Sequence, residues 1–405
     1  MTQEEKRLRQ QERRLKVREL QELAKGPVDV PFLALVLMLT VIGLIMLFSA
    51  SFPSALNEHG DALYFIRSQV IFAAAGIAAM MAMSKINYQR LRGVATLALI
   101  GSLILLVLVV LPGPNAYGKL FGIERNHSVR WMQLLLVAGP QYQPSELAKL
   151  GIIVYFAATI SQRRDRMRTF KYGILPYGLI LLAYAVLMLM EPHMSGCILL
   201  VGIGAVMMVV GGMDWKWVTG GILGVCAGLY AMLFTDLMEI IGYNSSRIQT
   251  WRDPFWDAQD ASYQMAQSLI AIGSGGLFGV GLGRSRQKFM FLPEEHNDFI
   301  FAIICEELGY VGAGIIMILF ALLIIRGYWI AIHARDRFGA LLAVGVTTQI
   351  GLQVFLNIAV VTGLIPATGI SLPFFSYGGT ALMIQLFEVG IVLSVSRQMP
   401  AMKAG

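Results

Sequence analysis

The sequence has little charge and very little cysteine. Only 14% of its 405 residues are charged, whereas 56% are hydrophobic. A soluble protein of this length needs far more polar surface to cover its core, so the composition excludes an ordinary soluble enzyme. Its three cysteines, Cys197, Cys226 and Cys305, lie in apolar stretches at spacings that match no metal motif. They are interpreted as small apolar residues in helices, and no disulfide framework is expected.

The charge that is present lies outside the long apolar stretches. The formal net charge is +7, and much of the excess falls in residues 1–26. A basic segment beside a membrane explains this better than nucleic-acid binding does. No small-residue cleavage pattern follows the first apolar run near Val30, so we expect a retained first span and no cleaved signal peptide. Residues 1–26 are predicted to form a cytoplasmic basic helical tail, which either touches anionic lipid or a partner, or is simply solvated.

Ten apolar segments have the length and composition of membrane spans. They predict an all-α polytopic membrane protein with about ten transmembrane helices, formed by residues 27–400 and followed by a cytoplasmic tail at 401–405. The segments are Val30–Ala50, Leu63–Met83, Val94–Leu111, Ser145–Ile160, Gly173–Met190, Gly196–Gly212, Val218–Phe234, Phe299–Ile325, Ala340–Thr362 and Gly379–Ser396.

Lysine and arginine in the connections predict the orientation. With the amino terminus inside, the inner connections carry many of these residues and the short outer connections carry none. Both termini are therefore predicted to be cytoplasmic. Two long extracytoplasmic loops are expected, at 112–144 and 235–298. The second has too many aromatic residues to be disordered, so we expect it to fold against the mouth of the bundle.

A first polar cluster opens the fourth predicted span at its outer end. It reads Gln143-Pro144-Ser145-Glu146-Leu147-Ala148-Lys149. Pro144 and Ser145 suit the start of a helix. Glu146 and Lys149 are three positions apart, so they share a helix face and are predicted to pair. The pair either neutralises two costly charges or presents Lys149 to an anionic substrate group, with Glu146 holding it.

A second polar cluster, residues 292–301, leads into the eighth predicted span. Asp298 is the last acid before the apolar run. Partial desolvation would raise its pKa and make it a usable base. Alternatively, Asn297 or Asp298 simply caps the start of the helix. His296 could suggest a metal, but it has no partner at metal-ligand spacing.

Two further stretches are rich in glycine. Residues 363–380 are uncharged and also contain proline, and they predict either a re-entrant outer segment or a plain tight loop. Residues 273–283 lack the context of a nucleotide fingerprint and are interpreted as a pliable joint or an anion-binding nest. The basic residues that follow, Arg284, Arg286 and Lys288, either bind an anionic ligand or are solvated among lipid headgroups.

These clusters, in this order, resemble the SEDS family, which contains FtsW, RodA and SpoVE. The most specific pieces are Gln143 to Leu147, Leu292 to Phe301, Gly363 to Pro366 and Ser376 to Gly379. The run from Gly283 to Glu294 is most similar to the FtsW and SpoVE branch. The chain departs from the family at His193, because many members carry aspartate there after the fifth span.

The resemblance implies a peptidoglycan glycosyltransferase of the bacterial cytoplasmic membrane. It would polymerise lipid II, a disaccharide-peptide on undecaprenyl diphosphate, at the outer face. Asp298 would be the general base of an inverting single displacement. Cations would stabilise the leaving diphosphate, with Lys149 first, then Arg130 and the Arg284 to Lys288 group. The remaining predicted substrate-binding residues are Glu146, Ser145, Gln143, Ser376 and Tyr377.

The implied partners are lipid II, membrane lipid, a class B penicillin-binding protein and proteins of division or sporulation. Mg²⁺ or Mn²⁺ could accompany the diphosphate, although no protein cage for it is evident. The alternatives are a lipid II flippase and a non-catalytic scaffold for the transpeptidase. Because the inner halves of the spans look apolar, the sequence favours chemistry at the outer face.

Overall fold

The computed structural model describes residues 26–112, 122–125, 128–133, 141–163, 166–191, 193–234 and 245–399. The predicted tail at 1–26 therefore lies almost wholly outside the described residues, as does part of each long loop. Each of the ten predicted spans coincides with a helix. These helices are α1 Val30–His59, α2 Tyr64–Lys85, α3 Leu91–Val110, α4 Pro144–Gln162, α5 Leu175–Met190, α6 Met194–Val210, α7 Trp215–Phe234, α10 Ile300–Ile332, α11 Arg337–Val361 and α12 Gly379–Ser396.

The helices form a multi-pass membrane bundle. Among the described residues, seven are long and apolar enough to cross a membrane, and α6 is a shorter apolar helix. The helices alternate in direction along the chain. The ends of five helices therefore lie on the same side of the bundle as the starts of the next spans, for α1 and α2, α3 and α4, α5 and α6, α7 and α10, and α11 and α12. We call this side of the bundle the loop end, because both long connections lie there, and the opposite side the far end.

The first long connection contains a small antiparallel sheet. Its strands are β1 Gly122–Arg125, β2 Ser128–Gln133 and β3 Gln141–Tyr142, in the order β1-β2-β3. Met132 of β2 pairs with Tyr142 of β3, and β3 leads directly into α4. The sheet thus fixes β2, which carries Arg130, beside the N-terminus of α4. The sequence did not predict these strands.

The second long connection contains the helices α8 Ser245–Arg252 and α9 Tyr263–Ser274. The glycine-rich stretch after α9 pairs with a break in α10. The N–H of Val280 donates to the carbonyl of Glu306 at 2.9 Å, and the N–H of Tyr310 donates to that of Gly276 at 3.0 Å. At the break, Gly309 has a φ of 68°. A Cβ there would lie 2.3 Å from the nitrogen of Gly279, so the close approach requires glycine.

Two buried acids of α10 hold the basic end of this stretch. Lys288 Nζ lies 2.8 Å from Glu307 Oε1 and 3.1 Å from the Ser49 hydroxyl of α1. Glu306 accepts from the hydroxyl of Ser285 and, at 2.8 Å, from the N–H of Arg286. These contacts clamp the long connection to α1 and α10. Glu307 is paired with Lys288, and Glu306 accepts hydrogen bonds from residues 285 and 286, so neither buried carboxylate is left without a partner.

The segment between α11 and α12 enters the bundle, as the re-entrant prediction expected. Phe374 and Phe375 are buried, and Phe374 stacks on Phe320 of α10 with ring centroids 6.4 Å apart. A Cβ at Gly43, in the middle of α1, would lie 2.2 Å from the Phe374 carbonyl oxygen. Non-helical backbone at this depth is tolerated because helices surround it.

A buried polar row runs along one face of α11 from the loop end to the middle of the helix. Gln349, Gln353 and Asn357 recur every four residues along one face of α11, and all three are buried. Gln349 Nε2 donates to Glu388 Oε2 of α12 at 2.6 Å, and Glu388 has no exposed surface. The row descends about 12 Å from Asn357 to Gln349 at 1.5 Å per residue.

Candidate active site

A cavity of about 700 Å³ opens at the loop end of the bundle. Its wall is contributed by α1, α2, β2, β3, α4, α6, α11, α12 and the segments that precede α10 and α12. Its polar lining residues include Arg130, Gln141, Gln143, Ser145, Glu146, Lys149, His193, Glu294, Asn297, Asp298, Gln353 and Tyr377. The two polar clusters and the glycine-rich stretch 363–380 singled out in the sequence therefore meet at one place.

Asp298 lines this cavity and does not cap a helix. The N-cap residue of α10 is Phe299, and no side chain caps that helix. The backbone of Asp298 is held by Asn357, whose Nδ2 donates to its carbonyl at 2.7 Å. A Cβ at Gly369 would lie 3.1 Å from Asp298 Oδ2, so glycine leaves room for the carboxylate. The capping alternative is thus wrong, and the carboxylate is available to a ligand.

Burial raises the pKa of Asp298 from 3.8 to about 6. The neighbouring Glu294 carboxylate raises the pKa further, whereas Arg130 and His296 oppose the shift. An acid with this pKa is ionised at neutral pH and is still basic enough to accept a proton. The environment therefore suits general-base chemistry.

Lys149 and Glu146 form the ion pair that their spacing predicted. Lys149 Nζ lies 2.8 Å from Glu146 Oε2, and only 3% of the lysine side chain is exposed. Pro144 is the first residue of α4, as expected from the sequence. Because the pair opens into the cavity, an incoming anion can reach Lys149 without crossing the bundle.

Arg130 of β2 interacts electrostatically with two acids. Burial lowers the pKa of Arg130, Asp298 opposes this shift, Arg247 adds to it, and Glu191 opposes it. Glu191 follows α5 and is buried, and burial raises its pKa to about 8 despite Arg130. Glu191 is therefore largely neutral at neutral pH, which leaves Arg130 as a net positive group facing Asp298.

The re-entrant segment joins the Asp298 loop to the helices. The Ser376 hydroxyl donates to the Asn297 carbonyl and accepts from the N–H of Leu372, both at 2.7 Å. The N–H of Tyr377 donates to the His296 carbonyl at 2.9 Å. From α2, Gln69 accepts the N–H of Gly378 at 3.1 Å. These bonds fix the position of Asp298 relative to the cavity.

The predicted site residues are not all gathered in the cavity. The seven that line it are Asp298, Lys149, Glu146, Ser145, Gln143, Arg130 and Tyr377. Ser376 lines a small adjoining cavity of about 30 Å³. Arg284 and Arg286 are exposed outside the cavity lining, and Lys288 is buried in its ion pair with Glu307.

Sequence reasoning missed several lining residues. His193 was noted only as a departure from the family, and Glu294, Gln353 and Gln141 were not considered as site residues. For Gln353, the four-residue spacing of Gln349, Gln353 and Asn357 was an available signal, because polar groups on one face of a span need an internal partner.

The side chains of the described residues also bear on whether the cavity could hold a metal ion. No group of three or more His, Cys, Asp or Glu side chains that could hold an ion occurs among them. The cavity acids are interleaved with Arg130 and Lys149, which is unlike the oxygen cage that Mg²⁺ or Mn²⁺ requires. No step below depends on an ion.

Comparison with known proteins was made against families, individual proteins and solved structures. The family model described as "Cell cycle protein", which covers FtsW, RodA and SpoVE, matches residues 30–400. A probable peptidoglycan glycosyltransferase FtsW from Geobacter metallireducens is 37% identical, over 92% of this chain and 95% of its own length. Stage V sporulation protein E from Bacillus subtilis is 39% identical, over 91% of this chain and 97% of its own length.

Solved structures with the same fold are also found. A chain from a structure described as "Structural coordination of polymerization and crosslinking by a peptidoglycan synthase complex" superposes with a TM-score of 0.74 at 26% identity. The rod shape determining protein RodA of Thermus thermophilus superposes with a TM-score of 0.65, also at 26% identity. Each covers 92% of this chain and 98% of the matched chain.

Proposed function

Because the chain belongs to the FtsW, RodA and SpoVE family, we propose that it polymerises lipid II with Asp298 as general base. Relatives named as probable peptidoglycan glycosyltransferases are 37% and 38% identical over most of the chain. The coarse activity follows from them, and the chain is a peptidoglycan glycosyltransferase. The substrate, the base and the reaction course are the proposal.

The proposed reaction is a single displacement at the sugar carbon that bears the diphosphate. The donor is α-linked to diphosphate and the product is β-linked, so one inversion is enough and no covalent enzyme intermediate is needed. The acceptor hydroxyl loses its proton to Asp298 as its oxygen forms the new C–O bond. The old C–O bond breaks, and its electron pair leaves with undecaprenyl diphosphate.

The leaving group is already an anion, so it needs positive charge more than it needs a proton. Lys149 and Arg130 line the same cavity as Asp298. Of the predicted cations, these two are supported by their position. The exposed Arg284 and Arg286 and the paired Lys288 are less well placed for this role.

One observation carries the proposal. The Asp298 carboxylate faces an open cavity that it shares with Arg130 and Lys149, and its backbone is fixed by Asn357. A capping or purely structural aspartate would not leave its carboxylate facing a cavity that also contains two cations. An acid beside cations in a water-accessible cleft is the arrangement that proton abstraction followed by anion departure requires.

The proposal is tested with the purified Asp298→Asn variant and lipid II. The amide keeps the shape of the side chain but cannot accept the proton, so we expect glycan polymer to fall by 10²-fold or more, the order that general-base catalysis contributes. Asp61→Asn is the matched control, because Asp61 is a partly exposed acid at the loop end whose partner is Arg67. Polymerisation by Asp298→Asn at the wild-type rate would refute the assignment.

The cellular setting follows from the same family. We propose that the loop end faces away from the cytoplasm, that both termini are cytoplasmic, and that the enzyme acts in division or sporulation. The structural relative described as a peptidoglycan synthase complex supports a crosslinking partner of the class B penicillin-binding type. Copurification of such a transpeptidase with the tagged full chain is the corresponding test.

Lipid II transport is kept as a second candidate because of the buried polar row that ends at Glu388. A flippase needs polar groups along the depth of the bilayer, and this row supplies some. Liposomes that contain labelled lipid II separate the two functions. Transport by Asp298→Asn without polymer formation would favour the flippase, whereas polymer without transport by the wild type would favour the enzyme.

A further inference from the structure

His193 occupies a position in the cavity that the proposed reaction has not yet used. It immediately precedes α6, lines the cavity and is only 8% exposed. A Cβ at Gly196 would lie 2.8 Å from its Nδ1, so glycine makes room for the ring. The position of the imidazole ring is therefore fixed by close packing.

The imidazole has one hydrogen-bond contact within the described part of the chain. Its Nδ1 lies 3.4 Å from Gln143 Nε2. An amide nitrogen donates, so in this arrangement Nδ1 accepts and the single proton of the neutral ring is on Nε2. If Nδ1 gained a proton, a rotation of the Gln143 amide would present its oxygen as the acceptor. The site can thus hold either protonation state of the ring.

Several charged groups surround the ring. Arg130 of β2 and Lys149 of α4 are the cations that act on it. The acids that share the cavity are Glu58 of α1, Glu146 of α4, and Glu294 and Asp298 of the loop before α10. The buried Glu191, two residues before His193, interacts with Arg130. Burial, and then Arg130 and Lys149, lower the pKa of His193 to about 3. In the free protein the ring is therefore neutral at physiological pH.

An incoming diphosphate changes this balance. Its negative charges compensate Arg130 and Lys149 and attract a further positive charge into a region of low dielectric. A neutral imidazole can then take a proton from solvent, whereas an asparagine or glutamine cannot.

We propose that His193 binds the diphosphate of lipid II and accepts one proton from solvent as the diphosphate enters between Arg130 and Lys149. The inference rests on the proposed function, because it assumes that a diphosphate lipid is the ligand. The added proton stays on the imidazole while the diphosphate is bound, and it returns to solvent on release. His193 would then serve as a third cation that is present only when it is needed.

The experiment measures protons taken up when lipid II binds to the full-length Asp298→Asn protein. This variant prevents turnover and also removes Asp298 from the proton count. Binding heats are recorded near pH 7 in two buffers of different ionisation enthalpy. The diphosphate of lipid II is a diester and does not itself titrate near this pH. We expect close to one proton taken up per lipid II bound.

Two comparisons identify the group responsible. With His193→Asn or His193→Gln added, uptake should fall close to zero, and binding should no longer weaken as pH rises. One linked proton changes affinity by up to about tenfold per pH unit. His59→Asn is the matched control, because His59 also lines the cavity but is partly exposed and stacks on Tyr64. The variant with His59→Asn should still take up close to one proton per lipid II bound.

Melting temperatures of the variants establish that each is folded, and His193→Gln keeps a polar side chain of similar length if His193→Asn is unstable. Unchanged uptake in both His193 variants, or no uptake by the Asp298→Asn parent that still binds lipid II, would overturn the role of His193 and leave the proposed function intact. Failure of that parent and of the wild type to bind lipid II would overturn both.

Discussion

At the scale of single residues, the protonation of Asp298 controls the proposed reaction. Its pKa is raised to about 6 by burial and by Glu294. The base must be ionised, so the rate at saturating lipid II should rise with pH and level off above the pKa. Bound diphosphate adds negative charge, which favours the protonated form of Asp298 and raises its pKa, whereas a proton taken up by His193 opposes this change.

This prediction is checked by measuring kcat for glycan synthesis between pH 5 and 8 at saturating lipid II. Below the apparent pKa the rate should fall about tenfold per pH unit. Saturation matters, because affinity itself depends on pH if His193 takes up a proton. Asp61→Asn should give the same profile. A flat profile from pH 5 to 7 would contradict a base with this pKa.

Individual ion pairs also show which contacts could be predicted from the sequence. The Glu146–Lys149 pair was predicted because its partners are three positions apart on one helix, where geometry is local. The ion pair of Lys288 with Glu307 joins a loop to a helix, and the Ser49 hydroxyl comes from another helix far along the chain. Folding, not local spacing, brings these groups together, and the loop lysine was accordingly predicted to bind substrate.

At the scale of elements, the clamp between the glycine-rich stretch and α10 should contribute strongly to stability. Lys288→Met leaves the Glu307 carboxylate buried without its cation, which typically costs about 3–5 kcal/mol. The double variant Lys288→Met with Glu307→Gln removes both charges and keeps a hydrogen-bonding group for Ser49. We therefore expect the single variant to unfold at clearly lower temperature and the double variant to recover most of the loss.

Thermal unfolding of the purified variants in detergent measures this difference. Arg286→Met is the matched control, because Arg286 lies two positions away but its side chain is exposed. It should melt like the wild type. Equal melting temperatures for Lys288→Met and the wild type would mean that the clamp does not stabilise the long connection.

Elements differed in how well the sequence predicted them. The spans were readily recognised, because apolar length alone identifies a membrane helix. The re-entrant segment was one of two alternatives that the sequence left open, because an uncharged run rich in glycine and proline fits either a re-entrant segment or a tight loop. The sheet was missed because its strands are short and β3 has only two residues, Gln141–Tyr142. Such strands are fixed by pairing with distant residues and leave little periodic signal.

At the scale of the whole molecule, convergence at the loop end could be anticipated only in outline. The two polar clusters and the glycine-rich stretch 363–380 each lie at a helix start or a turn on the same side of the bundle, so alternation of the spans places them together. Their contacts depend on the polar row of α11, since Asn357 bonds both to Asp298 and to Ile370 of the re-entrant segment. The row was not recognised from the sequence, because three polar residues in an otherwise apolar span do not by themselves show that other helices surround the span and bury them.

The orientation of the bundle is the last prediction, and it follows from charge. Exposed basic residues such as Lys85 lie at the far end, whereas the short connections at the loop end contain none. The positive-inside rule therefore predicts that the far end faces the cytoplasm and that the cavity opens to the outside. There lipid II would have to be present on the outer leaflet for the reaction to occur.

Cysteine labelling tests this arrangement in a background in which the three native cysteines are replaced by alanine. Asn57→Cys at the loop end should react with an impermeant maleimide in intact cells, whereas Lys85→Cys should react only after permeabilisation, because both positions are exposed but on opposite sides. The reverse pattern would place the cavity in the cytoplasm and remove the basis for polymerisation at the outer face.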